Sequence, residues 1–178
     1  MPDAPANNPV RLLAEADLPA YKAFRDQMLA VHPEAFTSDA LTEMRRDAPS
    51  YRSRLPGGGH GSCLFTLVVP RANQLVGAIS CERELRAKVR HTAHIAGMMV
   101  LPAVQGHGIG RLLLASALAL LEKQEGIEIV TLSVTRSNAS AVGLYESAGF
   151  VRYGRLEDAI KLPDGSRLDK DLMSRRVG

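Results

Sequence analysis

Hydrophobic positions along the 178-residue chain follow two periods. Short runs rich in β-branched or alternating apolar residues predict strands at 10–13, 62–69, 75–84, 92–101, 128–135, 150–155 and 168–175. Helical spacing appears elsewhere. Ala20, Phe24, Met28 and Val31 share one face of a helix that Asp17 can cap; Pro19 sits in its first turn and the helix ends before Pro33. Residues 38–46 and 50–55 read as two short helical pieces. From Arg111 to Glu125, Leu112, Leu113, Leu114, Ala117, Leu118, Leu120 and Leu121 cover most of the circumference, which predicts a helix packed on a sheet. Ser137 or Asn138 caps a further helix to Ala148, and Gly149 supplies a left-handed stop.

The order of these elements is α/β. Strands 62–69 and 75–84, joined by the turn at 71–74, form an antiparallel hairpin. Strand 92–101, helix 111–125 and strand 128–135 form a crossover unit, so those strands are expected to run parallel. The length fits one domain over residues 10–178, preceded by a polar, proline-rich segment, 1–9, read as disordered.

Composition narrows the function classes. With 46% hydrophobic and 23% charged residues the chain is globular. No apolar run approaches the roughly 18 residues of a membrane span, so no membrane partner is expected. The first residues lack the charged and apolar regions of a secretion signal, which makes the cytoplasm the expected location. Cys63 and Cys81 have no metal-type spacing and fall in predicted strands; two reduced core thiols and no metal are expected. Aromatics at 4% are too few for a nucleic-acid face built on stacking, so no nucleic-acid partner is expected. A net charge of +3 suits a polyanionic ligand only weakly. Arg83, Arg86, Lys88 and Arg90 cluster at a hairpin tip, either solvated or steering phosphate. The glycine run at 57–61 lacks GxxxxGK[ST] and precedes no helix, so it reads as loop.

The chemistry concentrates at the end of strand 92–101. Pro102 stops the strand, and Gln105-Gly106-His107-Gly108-Ile109-Gly110 leads into the helix at Arg111. A strand end, a glycine turn and a helix start gather free backbone N–H groups at the positive end of the helix dipole, an anion site. A P-loop would need Lys and Ser/Thr after Gly110, where Arg111 and Leu112 stand. A dinucleotide fingerprint would need a glycine at 111 or 113. Neither reading holds.

Gln105-x-x-Gly108-x-Gly110 after Val100-x-Pro102 resembles the acyl-CoA signature of the GNAT superfamily of N-acetyltransferases. Asn138, Ala141, Leu144-Tyr145 and Gly149-Phe150 are similar to a second pattern of that family. The resemblance covers roughly residues 10–176. It implies a GNAT (acyl-CoA N-acyltransferase) fold: a mixed, mostly antiparallel sheet, splayed at its centre and flanked by helices. It implies acetyl-CoA as co-substrate, with N–H groups of Gln105, Gly106, His107, Gly108, Ile109, Gly110 and Arg111 around its pyrophosphate. His107 stands where the family often carries Lys or Arg. Met98, Met99 and Val100 would line the slot for pantetheine, and an N–H at Met98 or Met99 would polarise the thioester carbonyl.

By the same resemblance the reaction is direct attack of a primary amine on acetyl-CoA. A small-molecule acceptor is favoured and a protein N-terminus is the other option; segments 32–61, 84–92 and 155–170 would read it. Tyr145 has two roles open to it: packing against Ala141 and Val142, or giving a proton to the departing thiolate. Asn138 can cap its helix, contact pantetheine, or do both. His94 stands where some members carry a glutamate base, with Glu82, His91 or ordered water as alternatives. A homodimer is compatible with the family, with strand 168–175 available to pair. A non-catalytic acyl-CoA-binding module on the same fold is the alternative of a different class.

Overall fold

The computed structural model describes residues 10–58 and 62–177. The segment 1–9, read as disordered, and the end of the glycine run lie outside the described residues. The elements in chain order are β1 (Arg11–Leu12), α1 (Leu18–Val31), α2 (Ala40–Met44), β2 (Cys63–Arg71), β3 (Gln74–Arg83), β4 (Thr92–Val100), α3 (Ile109–Leu121), β5 (Ile129–Thr135), α4 (Ala139–Ser147), β6 (Val151–Lys161) and β7 (Arg167–Arg176). Short 3-10 turns include Pro33–Ala35 after α1, Ala48–Arg54 after α2 and Pro102–Val104 before α3.

The strands form a seven-stranded sheet in the order β1-β2-β3-β4-β5-β7-β6. Of these neighbours only β4 and β5 run parallel, joined through α3 as the crossover pattern predicts. Their pairing is short: Thr92 faces Ile129, Ala93 faces Val130 and His94 faces Thr131, and beyond these residues the two strands part. The cause is visible in β4. Its register against β3 jumps between Ala96 and Met99, and Gly97 sits at φ 64, a left-handed conformation that glycine adopts without strain. The bulge turns the second half of β4 away from β5. The centre of the sheet is thus splayed, as the family resemblance implies.

The flanking helices follow from apolar spacing. α1 buries Leu18, Tyr21, Phe24, Met28 and Leu29, and Pro33 then blocks its continuation. α3 buries Leu113, Leu114, Ala117, Leu118 and Leu121 against the sheet. It approaches closely at Gly77, where a Cβ would meet Leu113 Cδ1 at 2.9 Å and Ile109 Cγ2 at 3.0 Å. The apolar pattern overstates this helix. Leu112 is 46% exposed, and the helix stops at Leu121 because Glu122 to Glu125 have no apolar side chain to bury.

β6 runs to Lys161, beyond the predicted 155. It is an edge strand with β7 as its partner, and its irregular register, with Asp158 at φ 54, hides the usual alternation. β7 lies between β5 and β6. Both of its edges are therefore paired within the chain, which corrects the idea that strand 168–175 is free to pair across an interface. Cys63 and Cys81 are free and buried, in line with core thiols. Among the described residues no helix is long and apolar enough to cross a membrane.

Candidate functional site

The parted strands open onto a cleft of about 880 Å³. One wall is the second half of β4, Met98, Met99 and Val100; another is the glycine turn with the start of α3. α4 contributes Asn138, Ala141 and Tyr145, and the end of α1 with its following turn contributes Met28, His32, Glu34 and Phe36.

The turn is held to β4 by its own side chain. Gln105 Nε2 donates to the Val100 carbonyl at 3.1 Å, and the Gln105 N–H closes the 3-10 turn on Pro102 O at 3.2 Å. Gly106 and Gly108 take φ 79 and 81, with nothing within 4 Å of where a Cβ would stand. The first bond into α3 is Leu112 N–H to Gly108 O at 2.9 Å. The N–H groups of Gly106 through Arg111 have no partner among the described residues, the orphan donors expected at a helix start. Gly110 does something else: a Cβ there would stand 3.3 Å from both Leu144 Cδ2 and Met98 Cε, so this glycine lets α3 pack against α4 and β4. The Ile109 side chain likewise lies against β3 at Gly77. His107 is exposed, its Nδ1 3.0 Å from Gln105 O, and it is not among the cleft-lining side chains.

Tyr145 is packed and also faces the cleft. It is 7% exposed, packs edge-on against Phe150 with centroids 5.9 Å apart, and lines the cleft. Its O–H donates to Met98 Sδ at 3.4 Å, and burial pushes the phenol up to about 12. A phenol so shifted stays protonated through the neutral range. Asn138 Oδ1 accepts from Ala141 N–H at 3.1 Å, so the predicted cap is made, and the residue also lines the cleft.

The base candidates lie apart from this space. His94 sits at the closed end of the splay, its Nδ1 3.0 Å from Thr131 Oγ1, and burial holds its imidazole below the usual range against the opposing pull of Glu82. Glu82 accepts from Arg54 Nη1 at 2.9 Å. The His91 carbonyl accepts from Glu128 and Ile129 at the entry to β5. None of the three lines the cleft. His32 and Glu34 do, and sequence reasoning passed over them, placing residues 32–61 only in a general acceptor segment. The available signal was a histidine and a glutamate on either side of the proline that ends α1.

Comparison with known proteins agrees with this geometry. Residues 22–150 match the acetyltransferase (GNAT) family. The chain is 33% identical over 158 residues to a mycothiol acetyltransferase of Salinispora tropica, covering 86% of this chain and 48% of that protein. It thus spans about half the length of that relative. It is 32% identical over 114 residues to a [ribosomal protein bS18]-alanine N-acetyltransferase of Haemophilus influenzae, covering 64% of this chain and 73% of the other. The structure of a ribosomal-protein-alanine N-acetyltransferase from Brucella melitensis superposes with a TM-score of 0.78 at 26% identity, over 95% of this chain and 99% of that one. The family match over most of the chain, on a sheet that parts where the glycine turn leaves its donors open, means that the chain belongs to the GNAT acetyltransferase family.

Proposed function

We propose that the chain transfers the acetyl group of acetyl-CoA to a primary amine by direct attack. The observation that carries this reading is the run of open N–H groups from Gly106 to Arg111 beside the parted strands. Those donors, at a helix start, suit the pyrophosphate of CoA, and the open spaces at Gly106 and Gly108 let a phosphate come close. The pantetheine arm would lie along Met98, Met99 and Val100 like an added strand, touching Asn138. An N–H at Met98 or Met99 would stabilise the oxygen of the thioester as it gains charge. Tyr145 would give its proton to the sulfur as the C–S bond breaks, a role that its protonated, buried phenol suits.

A compact amine is the acceptor that the cleft favours over a protein N-terminus. Thr135 Oγ1 donates to Glu34 O at 2.8 Å and Lys170 Nζ donates to Thr37 Oγ1 at 2.7 Å. These bonds draw the segment after α1 onto the ends of β5 and β7, walling that side of the cleft. The relatives are named for unlike molecules, mycothiol and a ribosomal-protein alanine, so they support the transfer chemistry more than any one acceptor.

The test is CoA thiol release from acetyl-CoA against polyamines, amino acids, aminoglycosides and short peptides with free N-termini. Turnover with small amines and not with peptides is expected; turnover confined to peptides would replace the acceptor. Calorimetric binding of acetyl-CoA without turnover would favour a non-catalytic acyl-CoA-binding module. Absence of binding would remove the pyrophosphate assignment.

A further inference from the structure

α1 ends at His32 because the next residue is proline, and Pro33–Ala35 forms a single 3-10 turn closed by Ala35 N–H on His32 O at 3.0 Å. That turn folds Glu34 back towards His32: Nδ1 of the ring stands 3.2 Å from Glu34 Oε1. The turn is tethered to the sheet, since the Glu34 carbonyl accepts from Thr135 Oγ1 at the end of β5. The other ring nitrogen, Nε2, is enclosed and has no hydrogen-bond partner among the described residues. Both side chains line the same cleft as Met98 and Tyr145.

A carboxylate on Nδ1 selects the tautomer with its proton there and leaves the lone pair on Nε2. An imidazole nitrogen without a partner, on a ring that lines a reaction space, is set to receive a proton. We infer that His32 accepts the proton of the acceptor amine, with Glu34 as the positioning residue that fixes its tautomer. This inference rests on the acetyl-transfer reading above. It also narrows the acceptor to an amine that arrives as an ammonium ion, because the Glu34 carboxylate draws a cation to this side of the cleft.

The protons balance as follows. His32 Nε2 takes one proton from the ammonium and passes it to solvent. The neutral nitrogen bonds to the thioester carbon, the C–S bond breaks, and the sulfur takes its proton from Tyr145. His32 then takes the second proton from the acylated nitrogen and releases it to solvent, and solvent restores Tyr145. The products are the amide, CoA with a free thiol, and one proton released to solvent. The other titratable or charged side chains lining this cleft are Glu34 from the same turn, Arg111 from α3 and Tyr145 from α4. Lys170 reaches the neighbouring Thr37 from β7.

The experiment combines nitrogen NMR of the His32 ring with kinetics of His32→Gln and Glu34→Gln on the amine found in the panel. The ring is expected in its Nδ1–H form, with that preference lost in Glu34→Gln. His32→Gln is expected to lower kcat/KM by about 10²-fold and flatten the acidic limb of its pH profile, with calorimetric acetyl-CoA affinity unchanged. Glu34→Gln should lower the rate less and keep a displaced limb. An Nε2–H ring, or a His32→Gln enzyme with the wild-type rate and profile, overturns the inference. If no amine in the panel turns over, the transfer reading fails, while the ring tautomer still decides the His32–Glu34 pairing.

Discussion

Two polar regions flank the parted strands, and they treat their hydrogen-bonding groups in opposite ways. At the glycine turn, successive N–H groups from Gly106 to Arg111 have no partner among the described residues. Between α1, α2 and the 3-10 turn Ala48–Arg54, polar groups are paired instead. Glu43 accepts from Arg25 Nε at 3.0 Å, from Tyr51 O–H at 2.6 Å and from Arg46 Nη1 at 3.1 Å, while Arg25 Nη2 donates to Ser38 Oγ at 3.0 Å. Arg25 Nη1, Tyr21 O–H and Asp26 Oδ1 are exceptions there, buried and without a partner among the described residues. Burial works against the Glu43 charge, but the Tyr51, Arg25 and Arg46 donors overcome it and hold the carboxyl at about 2. Burial and the Glu43 carboxylate together push the Tyr51 phenol up. The difference separates roles that composition alone would merge: donors left open at a cleft wait for a ligand, whereas donors closed on one another hold helices in place.

The comparison breaks most sharply at Gly108. Gly108→Asp should abolish detectable acetyl-CoA binding in calorimetry, because it sets a negative charge among the open donors and a side chain at φ 81. Space is not the obstacle there, since nothing lies within 4 Å of the added Cβ. An unchanged affinity would sink the pyrophosphate assignment.

Glu43→Gln is next in size and should act on stability. Leaving Arg25 buried beside a neutral amide is expected to cost about 3 kcal/mol in denaturant unfolding. The pH dependence has a definite sign. The folded carboxyl titrates at about 2 against an ordinary 4.5, so its stabilisation is complete above about pH 4.5 and is lost as pH falls towards about 2. The variant should lose this acid-side slope, and an identical slope would show that Glu43 is not its source. Acetyl-CoA affinity at neutral pH is expected to stay near wild type.

Tyr145→Phe should lower kcat by about 10²-fold while leaving acetyl-CoA affinity nearly alone, since the proton is given only as the C–S bond breaks. A rate equal to wild type would return Tyr145 to packing against Phe150. The smallest effect belongs to Asn138. Asn138→Ala should cost about 1 kcal/mol by losing the cap to Ala141, and Asn138→Asp should recover that loss. If the amide also touches pantetheine, acetyl-CoA affinity will fall in both variants; recovery of affinity in Asn138→Asp would reduce Asn138 to a cap.

Much of this was legible along the chain because the signals are local. Gly106 and Gly108 mark a turn by their chemistry alone, Asn138 marks a helix start, and Pro33 marks a helix end. The βαβ unit was legible because a strand, an apolar helix and a second strand of matched lengths leave few other arrangements. β6 was underread, since an irregular edge strand has no strict alternation to betray it. His94 drew attention through its place in a strand, yet which neighbours surround a strand residue depends on register, and the register puts it where β4 and β5 are still paired.

The sequence by itself determined the element order, the glycine turn before α3 and the family, because each depends on residues a few positions apart. The tertiary structure decided where β4 and β5 part and which titratable side chains face the opening. His32 and Tyr145 lie 113 positions apart in the chain, from 32 to 145, and line one cleft. No local spacing encodes that meeting. It follows from the bulge at Gly97, the packing of α1 and the tie from Thr135 to Glu34, which exist only once the chain has closed on itself.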